Sequence, residues 1–526
     1  MELPAESFHS IIVPSGEIAA ETEEVAHEAL LGAELPVEET KKIATVATLG
    51  NDPFQKGGED VEHHAIVATE IVRDPCDQPN HDPVLQNAVV FFNPRLPDCR
   101  QLLESTKKRG LFVMAILPDP PKRDLITKSL EYYPTAESLL EIGVHQVYEP
   151  PSGQEFDVCE CANHLQTIES QQNLRFLGVI PLRESAVTYT DVIGGLLGIT
   201  AHNDLGHCSS RRDKGLMKQA VASAGLRVAK FARLTARDGS DVALAIKNLD
   251  LEFPVVVKTP RGMSTMDVYI CDTMDEAVLR SGQIVSSVGP DGKKASYSLL
   301  EEFLVGDEFA INLIASPTLP RGVRVTDIWK YNKVIAHGTR VNQWQTMVNP
   351  EDKKYASLVR YAEGICRAVG VKHGLAHVEL MTTFNEEANR YVDPVMIEIG
   401  ARLAGGRKAI MAQATVPGWH PFDAMVDSHC GIPVRVPLSF APSLVARHVY
   451  IPNDKAGKVT AIKGNNFDRL KTHYGSIVLA KVGERVKIAT NIMSFPAFVW
   501  LVGTPEDVEE DTRRAREEFI IEVEKE

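Results

Sequence analysis

Short apolar runs separated by amphipathic stretches organise the chain from residue 42 onward. Ile43–Leu49, Asn87–Phe92, Leu111–Leu117, Val144–Val147 and Phe176–Ile180 have the length and composition of strands buried on both faces. Between them, helices are predicted near 98–109, 135–142, 156–172 and 188–197. Strands alternating with helices predict βαβ units and an open parallel α/β sheet over about 41–205. A helix over Arg212–Ala224 leads into a second α/β region: a strand at Phe253–Lys258, a helix at Met274–Val285, and strands at Ser298–Val305 and Glu308–Ala315 on either side of Gly306. His377–Met381 and Val395–Ile399 read as two further strands. From about 430, short strands (Leu444–Ile451, Lys458–Ile462, Gly475–Leu479) are divided by Gly and Pro turns. A helix over Pro505–Glu524 closes the chain, with Thr504 as N-cap and Pro505, Glu506 and Asp507 in its first turn.

Length agrees with several units, since 526 residues exceed the roughly 250–300 at which one core stops growing. The pattern divides them into an acidic leader (1–40), an α/β domain (41–205), a central region (206–430) with a smaller lobe at about 228–300, and a C-terminal subdomain (431–526). Hydrophobic residues at 44% and charged residues at 24% exclude a disordered or fibrous chain. The net charge of −15 argues against a nucleic-acid partner, because phosphate backbones call for a basic footprint. Ten Glu and no Lys or Arg fall in residues 1–40, so most of that charge belongs to the leader.

Eight cysteines are scattered, only Cys159 and Cys161 lying close. That spacing argues against a disulfide framework and a zinc motif. With no signal peptide and no apolar run of membrane-spanning length, the expectation is a soluble, cytoplasmic protein without a membrane partner.

Three stretches carry candidate chemistry. Lys258 ends the β-branched run Val255–Val257 and is followed by Gly262, Ser264 and Thr265, a loop able to present backbone N–H groups to an anion; a strand-terminal lysine is also commonly just solvated. Glu301-Glu302-Phe303-Leu304 runs into Gly306 and Glu308. Such a turn sets a backbone against a flat ring and a carboxylate against a sugar diol, or it is simply a hairpin edge with solvated acids. Glu379, in His377-Val-Glu379, and Glu398, in Glu398-Ile-Gly-Ala-Arg402-Leu-Ala-Gly405-Gly406, both lie in apolar strands. Two buried carboxylates facing each other repel unless a divalent cation, for which hard Mg²⁺ is suited, lies between them. Arg402 offers a bidentate fork to a phosphate or carboxylate, or else pairs with one of these acids.

Taken in order, these stretches resemble the ATP-grasp superfamily of carboxylate–amine ligases, over about 170–430. The spacing His-x-Glu, then Glu-x₃-Arg-x₂-Gly, looks most like the L-amino acid ligases that make dipeptides. The resemblance implies an ATP-grasp fold: an N-terminal open parallel α/β domain, a small α+β lid (about 228–300), and a larger α+β catalytic lobe with a C-terminal subdomain. It implies ATP and Mg²⁺, with Mn²⁺ as an alternative ion, and small-molecule carboxylate and amine substrates joined through an acyl phosphate. Homodimers are common among such ligases. By the same resemblance Lys214 and Lys258 contact phosphates, with Ser264 in the lid loop. Glu301, Glu302, Phe303 and Leu304 line the adenine, Glu308 takes the ribose, Glu379 and Glu398 hold magnesium, and Arg402 contacts the transferred phosphoryl group. His377, Gly405 and Gly406 are assigned to the substrate side.

The chain departs from the pattern in three places. Its lid loop has only Gly262, Gly400 stands where many relatives place an Asn ligand, and Gly406 replaces a bulky residue, which predicts a roomier pocket for the first substrate. Lys330 and Lys333 are candidates for a third phosphate lysine. His202 and His207 read as loop residues, and nothing near Cys208 resembles a base. Two further readings stay open: an ATP-grasp enzyme acting on a sugar-phosphate amine or bicarbonate, and a non-catalytic ATP-binding regulatory protein.

Overall fold

Four parallel strands form the first sheet: β1 (Gln86–Phe92), β2 (Phe112–Ile116), β3 (Gln146–Tyr148) and β4 (Leu174–Pro181), in the order β3-β2-β1-β4. The computed structural model describes residues 85–118, 133–151, 153–262, 267–287, 295–336, 339–490 and 492–524. The expectations for the 1–40 leader, a strand at Ile43–Leu49 and Ser264 lie outside the described residues. Strand β1 is fully buried from Ala88 to Phe92 because helices cover both faces. Val89 and Phe91 pack with Cys99 and Leu102 of the helix Leu96–Lys107, while Ala88, Val90 and Phe92 pack with Cys161, Leu165 and Ile168 of the helix Val158–Gln172. This alternation across a sheet buried on both sides is why the run reads as continuously apolar.

A second, four-stranded antiparallel sheet has the order β5-β8-β6-β7, built from β5 (Phe231–Leu234), β6 (Val255–Lys258), β7 (Val268–Cys271) and β8 (Ser298–Glu302). The helices Val242–Leu249 and Met274–Ser286 pack on it. The preceding helix, Lys214–Ser223, starts at Asp213, whose carboxylate accepts from the N–H groups of Gly215 and Leu216.

The third sheet is the largest, with order β13-β12-β9-β10-β11-β14-β18-β16. Its members are β9 (Asp307–Ala315), β10 (Val323–Ala336), β11 (Thr339–Val348), β12 (Gly374–Asn385), β13 (Arg390–Gly400), β14 (Val445–Ile451), β16 (His473–Val478) and β18 (Ala497–Gly503). A small sheet of β15 (Gly457–Lys463), β17 (Arg485–Val486) and β19 (Ile520–Glu524) completes the C-terminal part.

The terminal helix is shorter than expected. It spans Pro505–Glu518, and the remaining residues form β19, paired with β15. Phe519, Ile521 and Val523 recur at every second position and pack with Val459 and Ile462, so a period-two apolar face overrides the helical one. The N-cap agrees with expectation: Thr504 accepts from Asp507 N–H. Strand β8 likewise ends at Glu302, three residues early, because Arg340 lies over the Phe303 ring and donates to the Leu304 carbonyl, drawing the chain out of the sheet.

The parallel domain seats closely on the helix Pro421–His429. Arg109 makes a two-point contact with Asp427, at 2.5 and 2.8 Å. Gly178 of β4 approaches the helix Pro421–His429 so nearly that a Cβ there would lie 1.9 Å from the His429 carbonyl oxygen. Among the described residues, no helix is long and apolar enough to cross a membrane.

Candidate active site

Strands β12 and β13 pair antiparallel with Glu379 directly opposite Glu398, so both carboxylates leave the same face of the sheet. Each is partly exposed although its strand neighbours Val378, Leu380 and Ile399 are buried. Burial, and then the nearby Glu398 and Glu308 carboxylates, push Glu379 up to about 7. Burial opposes ionisation of Glu398 too, but Lys214 and Lys258 outweigh it and hold that carboxyl well below its usual range. The pair therefore sits at the edge of tolerable charge density, the condition a divalent cation relieves.

Cations approach from the antiparallel four-stranded sheet and the helix before it. Lys214, first residue of that helix, places Nζ 2.9 Å from Glu398 Oε2 and donates to the Gly262 carbonyl at 3.0 Å. Lys258, at the end of β6, lies 2.9 Å from Glu301 Oε1. The buried Lys218 takes the other Glu301 oxygen at 3.2 Å and donates to the Met396 carbonyl of β13. Glu301 is thus clamped between two lysines, and its backbone lies in register between Phe231 and Val256. Of the predicted ring-facing stretch, Glu302–Leu304 lies at or beyond the end of β8, next to Lys230, whose N–H is bonded by Glu302 Oε1. Glu308, the second residue of β9, pairs with Lys333 at 2.5 Å. Tyr331, from the next strand, donates to Glu379 Oε1 at 2.9 Å.

Arg402 leaves the end of β13 and donates from Nε to Glu184 Oε2 at 2.6 Å. Its acid partner is neither Glu379 nor Glu398 but a residue of the N-terminal domain, just after β4. His377 lies beside this pair, buried, with Nδ1 lacking a partner. Gly400 is explained by this ring: a Cβ at 400 would lie 2.4 Å from His377 Cε1. Gly405 faces open space, whereas Gly406 adopts φ of 70° beneath His448.

The other candidates separate. Lys333 joins the site through Glu308, but Lys330 is held by Asp307 at 2.8 Å and the Tyr391 hydroxyl at 3.0 Å. His202 contacts the neighbouring Asn203 carbonyl and His207 lies near Asp204, as loop residues do. Burial pushes the Cys208 thiol up to about 12, which disfavours a nucleophilic thiolate. Among the described residues no three His, Cys, Asp or Glu side chains gather to hold a metal unaided.

Sequence reasoning missed Glu184, Lys218 and Tyr331. Lys218 carried a usable signal, standing four residues after Lys214 on one helix face; Glu184 carried none.

No family model matches the chain. A curated protein, dapdiamide A synthase of Enterobacter agglomerans, is 28% identical over 244 residues, 46% of this chain and 54% of that protein. The chain therefore spans about half the length of the curated relative it matches. Among solved structures, the L-amino acid ligase of Bacillus licheniformis superposes with a TM-score of 0.61 at 17% identity, covering 84% of this chain and 99% of that one. The biotin carboxylase domain of Hydrogenobacter thermophilus 2-oxoglutarate carboxylase, solved with MgADP and bicarbonate, gives 0.55 at 14% identity, covering 83% and 91%. The fold is ATP-grasp.

Proposed function

We propose that the chain is an ADP-forming carbon–nitrogen ligase that activates a substrate carboxylate with ATP and couples it to an amine. One observation carries this reading: Glu379 opposite Glu398, with Lys214 on Glu398 and Arg402 four residues beyond it. A lone structural ion pair needs neither a second carboxylate across the strand nor the further cations at Lys258 and Lys333. The donor set fits a nucleoside triphosphate with Mg²⁺ or Mn²⁺. Glu379 and Glu398 would hold the ion, whose shell phosphate oxygens and water would complete, and it would screen phosphate charge.

Lys214 and Lys258 neutralise phosphate oxygens, Glu302–Leu304 borders the adenine and Glu308 accepts from the ribose. An oxygen of the substrate carboxylate attacks the γ-phosphorus, the bond to the β-phosphate oxygen breaks, and ADP leaves. Arg402 stabilises the charge spread over the transferring group. The amine nitrogen then attacks the acyl carbon, inorganic phosphate departs, and a proton is lost from nitrogen as the amide forms. The lid sheet excludes water that would hydrolyse the acyl phosphate. The names of the relatives, a dapdiamide synthase and an L-amino acid ligase, support amino-acid-like substrates and a dipeptide-like product.

ADP release measured over a panel of amino-acid pairs, with the product weighed by mass spectrometry, tests the reading. Glu398→Gln should abolish amine-dependent phosphate release while the urea midpoint stays within the folded range. Unchanged turnover in that variant refutes the assignment.

A further inference from the structure

Past Arg402 the chain reverses through Gly406 and Arg407, both in the left-handed region at φ 70° and 58°, and enters the helix Lys408–Thr415. The reversal turns Lys408 inward, leaving it 6% exposed. Its ammonium lies over the rings of Trp329, at 5.8 Å, and Tyr331, at 5.7 Å. Tyr331 is the residue whose hydroxyl holds Glu379. Lys214, Lys218, Lys258, Lys330 and Lys333 each have a carboxylate within ion-pair distance. Lys408 has no ion pair or hydrogen bond among the described residues. Asp327 beneath it is already engaged by Asn312, Thr326 and Trp329. A buried cation without an anion is costly unless something else supplies the charge.

A second group converges on the same spot. His448 is 2% exposed and stacks on Tyr450 at 4.3 Å, yet both its ring nitrogens lack partners. A Cβ placed on Gly406 would lie 2.9 Å from His448 Nδ1 and 3.5 Å from Lys408 Nζ. The absent side chain at 406 thus marks a position reached by one cation and one potential N–H donor.

We propose that Lys408 and His448 bind a substrate carboxylate other than the one that is phosphorylated. This rests on the ligase reading above. The phosphate lysines, Lys214 and Lys258, act on Glu398, whereas the strongest charged neighbour of Lys408 is Glu379; the two cationic groups serve different parts of the site. Two sources share this chemistry: a second carboxyl on the activated acid, as in an acidic amino acid, and the α-carboxylate of the acceptor amine.

The test uses the full chain, with ADP release read for matched substrates: L-glutamate against L-glutamine as the acid, and L-valine against L-valinamide as the amine. The wild type should prefer the charged member of one pair, and that pair names the source. In Lys408→Met the kcat/KM ratio of that pair should fall about 10- to 100-fold, the loss expected of one charge-assisted bond. His448→Phe keeps the ring stack and should lower the ratio less. Lys408→Met keeps a side chain of similar length, and its urea midpoint, read beside that of the wild type, tells a loss of fold from a loss of carboxylate binding. Absence of preference in both pairs, or a ratio that survives Lys408→Met while both rates fall together, overturns the proposal. Should no pair release ADP, titrating tryptophan fluorescence with L-glutamate and with L-valine separates the two readings. A response to either that Lys408→Met abolishes supports carboxylate binding without ligase turnover; no response to either overturns it.

Discussion

Arg402 Nε lies 2.6 Å from Glu184 Oε2, so the arginine at the end of β13 is oriented by an acid from the parallel domain. A guanidinium aimed this way by one fork edge keeps its other donors for a phosphoryl group; Nη1 also reaches the Leu403 carbonyl at 2.7 Å. Arg402→Lys cannot reproduce the fork and should lower the rate of ADP release by about 10²–10³-fold, as loss of a transition-state donor does. Glu184→Gln keeps an acceptor oxygen but removes its charge, and a loss on the order of tenfold is expected, mostly in kcat. Single-turnover phosphate release from the two variants checks this. Equal rates in Arg402→Lys and wild type would remove Arg402 from the chemistry.

Glu301 counters two buried ammonium groups at once, Lys218 at 3.2 Å and Lys258 at 2.9 Å. Both lysines, and then hydrogen bonds from them, hold its carboxyl below the usual range against the opposing effect of burial. Glu301→Gln leaves these cations facing a neutral amide and should cost about 3–5 kcal/mol, the typical penalty for breaking a buried pair from one side. Adding Lys218→Met to Glu301→Gln removes one uncompensated charge and should recover part of that loss. Urea unfolding of the single and double variants reads both effects, and a double variant no more stable than the single one would show that Lys218 is not left uncompensated.

The alternating pattern of the first sheet was legible because strands such as β1 are buried on both faces. Where helical stretches separate them, short and continuously apolar runs fit little besides the strands of a covered parallel sheet. Glu379 and Glu398 stood out for a related reason: a carboxylate inside such a run needs a partner. Glu184 did not, since it follows Arg183 in a polar turn and acquires its role only when the parallel domain docks beside β13. Lys218 is less hidden, standing four residues after Lys214 on one helix face, but a lysine on an amphipathic helix also reads as solvated until Glu301 and the Met396 carbonyl are seen to enclose it. The last helix ends earlier than its charge spacing suggests, because beyond Glu518 the residues Phe519, Ile521 and Val523 follow a period of two that depends on the distant partner strand β15.

Several buried histidines make stability depend on acid. Burial holds His429 down to about 3 and His377 down to about 4, and His448 well below its ordinary value. These rings stay neutral in the folded chain, while the unfolded chain protonates them near pH 6.5. The unfolded state therefore binds more protons below that pH, so stability is fully present above about 6.5 and is lost as pH falls. His429 alone should contribute a slope of about 1.4 kcal/mol per pH unit between roughly pH 6 and 4. Urea midpoints measured across that range for wild type and His429→Leu should diverge by that slope. Parallel pH profiles would show that His429 is protonated without penalty in the folded state.

Gly405 and Gly406 are neighbours with opposite tolerances. A Cβ on Gly405 meets nothing within 4 Å, while Gly406 has φ of 70° and its Cβ would meet His448 Nδ1 at 2.9 Å. The room expected from the missing side chain at 406 is therefore joined to a backbone requirement: the reversal into the helix Lys408–Thr415 needs a left-handed residue. Gly405→Ala should change stability by no more than about 0.5 kcal/mol. Gly406→Ala should cost about 1–3 kcal/mol, combining the left-handed penalty for an L-residue with displacement of a ring packed on Tyr450 and Trp500. A bulky residue intended to narrow the substrate pocket is consequently better placed at 405. Gly405→Trp should raise KM for large substrates while leaving KM for ATP near its wild-type value. Equal urea midpoints for Gly405→Ala and Gly406→Ala would show that the turn tolerates a side chain at 406, and Gly406 would then be the better place to narrow the pocket.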